Sequence, residues 1–203
     1  MIKKLLILAL ILSVSSVASA VVYSTTNDGY TWSGTGWDGS GLMASDNGES
    51  GYDPQYGYVK FTGVMTSGVT SAILELSLEG SDIAGRNDEA DDADITITII
   101  ADTADGWTED TVHSAAFDPA LGAESVTLSG LDLTIYDAAS GGTILSWDVT
   151  SLVTGSDGSG NGTVGFWVST PAASNGWFSF NDWEDNRAGA PDQGPTLRIV
   201  GSM

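Results

Sequence analysis

Short runs of alternating apolar and polar residues dominate this chain. The clearest run is Ile-Thr-Ile-Thr-Ile at 95–99, and similar runs lie at 72–78, 131–135, 164–168 and 197–199. Because successive side chains of a β-strand point to opposite faces of a sheet, each run predicts a strand with one apolar face and one polar, solvent-exposed face. Such strands are typical of antiparallel sheets that pack across a common core.

Stretches rich in Gly, Asp, Ser and Asn separate these runs, at 34–51, 80–94, 155–162 and 185–194. They predict loops. In the part of the chain after residue 20 no sustained helical period occurs, and only 148–153 is expected to form a single helical turn, with Asp148 or Thr150 as its cap. The sequence therefore predicts an all-β protein, a two-sheet antiparallel β-sandwich, with a jelly roll as the expected connectivity.

The first twenty residues have the order of parts of a secretory signal peptide. A basic start with Lys3 and Lys4 precedes an apolar run at 5–12, and the small-residue motif Ala-Ser-Ala ends at Ala20. We predict cleavage after Ala20 and one domain over 21–203, in which 21–52 forms an edge strand and a long Gly-rich loop. No later stretch is apolar enough for a spanning helix, so we expect a secreted, extracellular protein without membrane insertion.

Charge narrows the set of partners. The chain has 27 acidic and 6 basic residues, a formal net charge of −21, and removal of Lys3 and Lys4 with the signal would lower it by two to −23. Such a surface repels nucleic acid and anionic lipid, so both are poor partners, and we expect no binding to nucleic acid. The chain contains no Cys, so neither a disulfide nor a thiol nucleophile is available.

Six segments follow one another in an order that is found in a known family. They are Tyr-Gly-Tyr-Val-Lys-Phe at 56–61, 69–76, 106–112, Trp-Asp-Val-Thr-Ser-Leu-Val at 147–153, 178–180 and 195–200. This order resembles the DNRLRE domain family. The resemblance covers most of the chain after the signal, and it implies a β-sandwich of a group classed among carbohydrate-binding modules. Such domains are common in secreted and surface proteins of bacteria and archaea.

Residue types and motifs argue against catalysis. His113 is the single histidine, and no Ser lies in a Gly-x-Ser-x-Gly motif, so a hydrolase triad has no recognisable nucleophile. One His without Cys also makes a zinc site improbable. Paired carboxylates could hydrolyse glycosides, but with 27 acidic residues many pairs fall at suitable distances by chance. We predict a protein that is not an enzyme.

A dense acidic segment predicts a calcium site. Residues 87–94 contain five carboxylates, and we assign Asp88, Asp91, Asp92 and Asp94 as the metal ligands. A bound Ca²⁺ would relieve their mutual repulsion, and carboxylate oxygens are the ligands that Ca²⁺ prefers. The segments 181–186 and 157–161 are further candidates. None follows the EF-hand pattern, and a solvated acidic loop is the alternative reading of each.

Tryptophans in polar loops predict a glycan site. Trp32, Trp37 and Trp183 lie among Gly, Ser and Asp, and flat aromatic rings stack on the C–H faces of sugars. Asp38, Asn181 and Asp182 lie close to them in sequence and can hydrogen-bond hydroxyl groups. The alternative is that these rings fold over the ends of the sandwich as lids. Trp147 and Trp107 are expected in the core, whereas Trp167 should point away from it.

These patterns lead to two functional hypotheses. The first is a secreted carbohydrate-binding or adhesion module stabilised by Ca²⁺, whose partner is a polysaccharide or surface glycan. The second is a structural subunit of an extracellular matrix, filament or surface layer, which requires self-association.

Overall fold

The computed structural model describes residues 18–25, 27–32, 35–36, 42–45, 56–77, 95–103, 107, 121–131, 144–155, 162–169, 177–180 and 194–202. Its elements are β1 (Ala18–Ser24), β2 (Asn27–Trp32), β3 (Thr35–Gly36), β4 (Leu42–Ser45), β5 (Tyr56–Phe61), β6 (Val69–Ser77), β7 (Ile95–Asp102), β8 (Leu121–Leu131), β9 (Ile144–Asp148), α1 (Thr150–Gly155), β10 (Val164–Ser169), β11 (Trp177–Phe180) and β12 (Thr196–Ser202).

The described strands form two main sheets, and all their pairings are antiparallel. The smaller sheet has four strands in the order β1-β12-β6-β9. The larger has six in the order β3-β2-β5-β10-β7-β8, and β4 pairs with β11 in a separate ladder. The predicted all-β, two-sheet antiparallel sandwich is confirmed, and the jelly-roll connectivity stays a prediction.

The core lies between the two sheets, and the apolar residues of the alternating runs are buried there. Leu74 and Leu76 of β6 belong to one buried cluster with Ile97 and Ile99 of β7 and Phe166 of β10. Each fully buried side chain of this size stabilises the fold by about 1.5–3 kcal/mol. The remaining members of the cluster are Val59, Phe61, Val64, Ala72, Ala101, Leu145, Trp147, Val149, Leu152, Val153, Val164, Val168, Phe180, Leu197 and Ile199.

The N-terminal part of the chain crosses from one sheet to the other. β1 is the edge strand of the smaller sheet, and it begins at Ala18, inside the predicted signal peptide. Thr25 follows it and links the sheets, because its N–H donates to the carbonyl of Pro195 and its hydroxyl to the carbonyl of Lys60. The stretch 34–51, predicted as a loop, contains the short strands β3 and β4.

The Trp-Asp-Val-Thr-Ser-Leu-Val segment joins β9 to the expected helical turn, α1. The Asp148 carboxylate accepts hydrogen bonds from the hydroxyl and the N–H of Thr150, which hold its pKa below the ordinary value. The same Thr150 oxygen accepts the N–H of Ala72, while the N–H of Val149 donates to the carbonyl of Ala72. Asp148 therefore orients the hydroxyl that fastens α1 to β6.

Candidate functional site

The predicted glycan-binding residues fall mostly outside the part of the chain that the structure describes. Five of them lie outside it: Trp37, Asp38, Asn181, Asp182 and Trp183. The sixth, Trp32, is the last residue of β2, and its backbone pairs with Thr35 of β3.

The β4–β11 ladder nevertheless relates the segments on which these residues lie. Leu42, the first residue of β4, is the register partner of Phe180, the last residue of β11. Residues 37–41 enter β4 and residues 181–183 leave β11, so the two segments join the ladder at the same end. Phe180 is fully buried, and its ring meets that of Trp147 edge-on at 6.5 Å, which anchors this end of the ladder in the main core.

The predicted calcium ligands Asp88, Asp91, Asp92 and Asp94 also lie outside the described residues, in the connection between β6 and β7. Within the described ranges, no three His, Cys, Asp or Glu side chains come together in a way that could hold a metal ion. His113 lies outside these ranges as well.

A second cluster of rings covers the outer face of the larger sheet. We call Tyr58, Trp107 and Trp167 the outer aromatic cluster. The Tyr58 ring lies 4.5 Å from that of Trp107 and 5.5 Å from that of Trp167, and the two tryptophan rings are 6.2 Å apart. Trp107 is only 4% exposed. Strands β5 and β10 are therefore buried on both faces.

The tryptophan predictions can be compared with this arrangement. Trp147 lies in the main core, as expected. Trp167 points away from that core, also as expected, but it is fully buried beneath Trp107. Trp107 is buried in the outer aromatic cluster and not between the sheets.

Lys60 lies beside this cluster and is the most unusual residue of the described face. It is 6% exposed, although lysine is rarely buried without partners. Its ammonium group donates to the backbone carbonyl of Trp107 and lies 4.5 Å from the centroid of the Trp107 ring. A cation above a ring face is attracted by the ring's quadrupole, so Lys60 and Trp107 hold each other on the sheet.

Asp102 of β7 is the second polar partner of Trp107. The indole N–H of Trp107 donates a hydrogen bond to the carboxylate of Asp102. A Cβ at Gly165 would lie 2.9 Å from Oδ2 and 3.0 Å from Cβ of Asp102, which is closer than such atoms normally approach. The Asp102 side chain leans across Gly165, so any larger residue at this position would displace it.

Hydroxyl groups continue the outer face beyond the cluster. Thr98 on β7 and Thr127 on β8 are register partners whose hydroxyl oxygens lie 3.1 Å apart, and the hydroxyl of Thr96 donates to that of Ser129 at 3.4 Å. Tyr56 of β5 is half-buried and lies edge-on to Trp167. This part of the face offers polar groups and one accessible ring.

Sequence reasoning did not single out Lys60 or Asp102. One signal was present: Lys60 interrupts an otherwise apolar and aromatic run, Tyr-Gly-Tyr-Val-Lys-Phe, in a chain with only 6 basic residues. A lysine in an apolar run is expected to be buried, and a buried lysine is expected to have a specific partner.

Comparisons with known proteins give no family assignment. No protein-family model matches the chain, and no curated protein matches it. The DNRLRE resemblance thus stays a prediction from the six sequence segments. In the described ranges, no helix combines the length and the apolar character that crossing a bilayer requires.

Proposed function

We propose that this protein is a secreted, non-catalytic carbohydrate-binding or adhesion module. The observation that carries the proposal is the pairing of Leu42 with Phe180, which joins the segments bearing Trp37, Asp38, Asn181, Asp182 and Trp183 to one end of one anchored ladder. The ladder pairs the residues at which these two segments begin, Leu42 and Phe180, which supports a shared ligand site.

The strand order supports a jelly roll, the architecture expected for such a module. Without β2, β3, β4 and β11, eight strands remain. In chain order, the smaller sheet (β1-β12-β6-β9) contains the first, eighth, third and sixth of them. The larger sheet (β5-β10-β7-β8) contains the second, seventh, fourth and fifth. The chain thus alternates between the sheets in the manner of two Greek keys.

Charge and ion binding define the ligand class. With 27 acidic residues against 6 basic ones, the surface favours a neutral polysaccharide, or an acidic one bridged by Ca²⁺. We propose Asp88, Asp91, Asp92 and Asp94 as the calcium ligands. Four carboxylates within seven residues repel one another, and a divalent cation removes that repulsion.

The test is binding to a panel of neutral and acidic polysaccharides, with Ca²⁺ and with a chelator. We expect Trp37→Ala and Trp183→Ala each to weaken binding about tenfold, the loss of one good stacking contact. Ile144→Ala, an exposed position on β9 of the smaller sheet, is the control and should bind as the wild type does. Absence of binding to every polysaccharide, with the melting temperature unchanged by chelator, would overturn the proposal.

A structural subunit is the second candidate, and β8 favours it. This edge strand has eleven residues but one charged side chain, Glu124, and it contains no Lys or Pro that would block pairing with another chain. Assembly that increases with CaCl₂ in sedimentation experiments would support this candidate. A strict monomer at high concentration would refute it.

A further inference from the structure

One row of side chains crosses four strands of the larger sheet on its outer face. Thr98 of β7 is the register partner of Ser169 of β10 and of Thr127 of β8. The ladder between β10 and β5 ends one pair before Ser169 and Tyr56, which therefore lie side by side. Each of these four residues carries one hydroxyl group, and we call them the hydroxyl row.

The hydroxyl row is open to solvent. The isoleucines before and after Thr98 belong to the main core, so the Thr98 side chain points to the outer face, and its register partners share that face. Thr127 is exposed, and the other three residues are half-buried. At the usual spacing of strands the row is about 14 Å long from β5 to β8, which is longer than a single sugar ring.

Aromatic rings lie beside the β5 and β10 part of the row. Tyr56 lies edge-on to Trp167, with ring centroids 6.5 Å apart, and Tyr58 and Trp107 complete the block. Phenol and indole side chains are longer than those of Ser and Thr, so the rest of the hydroxyl row is a low strip next to a raised block of rings. A sugar chain lying in the strip would meet the Tyr56 ring, onto which its C–H groups can stack.

The hydroxyl groups of β7 and β8 lie in pairs at this place. The oxygens of Thr98 and Thr127 are 3.1 Å apart, and beside them the hydroxyl of Thr96 donates to that of Ser129 at 3.4 Å. Within such a pair one O–H is used, whereas the second O–H and the remaining lone pairs can bond to a ligand. Each pair can therefore donate and accept at the same time, as the hydroxyl groups of a sugar do.

The hydroxyl row is an uncharged part of a strongly acidic protein. The chain has 27 acidic and 6 basic residues, but neither the row nor Thr96 and Ser129 beside it carries a charge. Lys60, the cation of β5, is buried beside the Trp107 ring and is not available to a ligand. An acidic polysaccharide would therefore find no counter-charge here, whereas a neutral one avoids repulsion by the surrounding surface.

We propose that the hydroxyl row is a second binding surface, which holds one extended chain of a neutral polysaccharide separately from the loop residues Trp37 and Trp183. Sugar C–H groups stack on Tyr56, and sugar hydroxyls exchange hydrogen bonds with Thr98 and Thr127. The inference rests on the proposed function, because it names a second site for the same class of ligand. Two such surfaces on one protein bind a polymer more tightly than either does alone.

Affinity electrophoresis in gels that contain a soluble β-glucan, a xylan or a mannan tests this inference. The double variant Thr98→Val and Thr127→Val should bind about tenfold more weakly than the wild type, because it loses both hydroxyls and keeps their shape. Tyr56→Leu should weaken binding by a similar factor, because the stacking ring is lost. Since the two surfaces are separate, each factor should multiply with that of Trp37→Ala.

The matched control is Thr70→Val on β6 of the smaller sheet, where an exposed threonine hydroxyl donates to the carbonyl of Val200. This variant should bind as the wild type does. Should Tyr56→Leu fail to fold, the threonine variants decide, because Val and Thr both favour strands. If Trp37→Ala weakens binding and the double threonine variant does not, the hydroxyl row alone is refuted. If the wild type binds none of the polysaccharides, this inference and the proposed function both fail.

Discussion

The two outer faces of the sandwich differ in the way they meet water. On the larger sheet, Trp107 covers Tyr58, Trp167 and Lys60, so the central strands are buried on both sides. On the smaller sheet, the corresponding face carries exposed residues, among them Ile144, which is 57% exposed. The outer face of the larger sheet is thus a second, small core, whereas the outer face of the smaller sheet is exposed to solvent.

The comparison shows where charge is built into the structure. The larger sheet holds a lysine that is 6% exposed, between a ring face and a carbonyl. The smaller sheet holds Arg198 and Glu75, an ion pair on neighbouring strands with side chains 47% and 22% exposed. Burial amplifies electrostatic interactions, so we expect changes on the first face to have much larger effects than changes on the second.

Removal of Trp107 should have the largest effect. Trp107→Ala takes away the cover of the outer aromatic cluster and the ring face against which the Lys60 ammonium group lies, and we expect a loss of about 3–5 kcal/mol in the free energy of unfolding. Chemical denaturation measures it. The matched control is Ile144→Ala on the exposed face, which should change stability by less than about 0.5 kcal/mol. Equal effects of the two variants would show that the two faces do not differ.

The ion pair on the smaller sheet should contribute much less. A double-mutant cycle with Glu75→Gln and Arg198→Met should give a coupling energy below about 1 kcal/mol, because both side chains remain partly solvated. Added salt should reduce that coupling further. A coupling above about 2 kcal/mol, insensitive to salt, would mean that this face is as well shielded as the other.

The smallest expected effect concerns Asp148, which is exposed on β9. Hydrogen bonds from Thr150 lower its pKa from the ordinary 3.8, so they stabilise the fold above that pH, and the stabilisation is lost as pH falls through the folded-state pKa. Asp148→Asn should therefore be less stable than the wild type at neutral pH, with a difference that shrinks in acid. Denaturation at a series of pH values measures this difference. A pH-independent difference would contradict the assignment of the effect to this carboxylate.

Alternation in the sequence predicted the inner strands well. Residues 72–77, 95–99, 164–168 and 197–199 all lie in strands whose apolar sides meet in the main core. β8 was missed because it is an edge strand whose side chains are mostly exposed, so that apolar and polar positions need not alternate. β3 and β4 were missed because strands of two and four residues leave no period among glycines.

The outer aromatic cluster could not be predicted in the same way. Period two places Tyr58, Lys60 and Trp167 on the outward side, and the prediction for Trp167 was correct in direction. Their burial depends on Trp107, which is 47 residues beyond Lys60 in the chain. The glycan and calcium ligands predicted from the sequence lie outside the described residues apart from Trp32, so the sequence patterns and the β4–β11 pairing remain their support.

The pairing of β1 with β12 has a mechanical consequence. Val21, the first residue after the predicted cleavage, lies opposite Ile199, and Ser24 lies opposite Thr196, so the beginning of the first strand and the last strand are side by side. Tension applied between Val21 and Ile199 would open the ladder one residue pair after another, from Val21 towards Ser24. An adhesive contact loaded through these two points would yield gradually at the sheet edge, while the sandwich core behind it stayed intact.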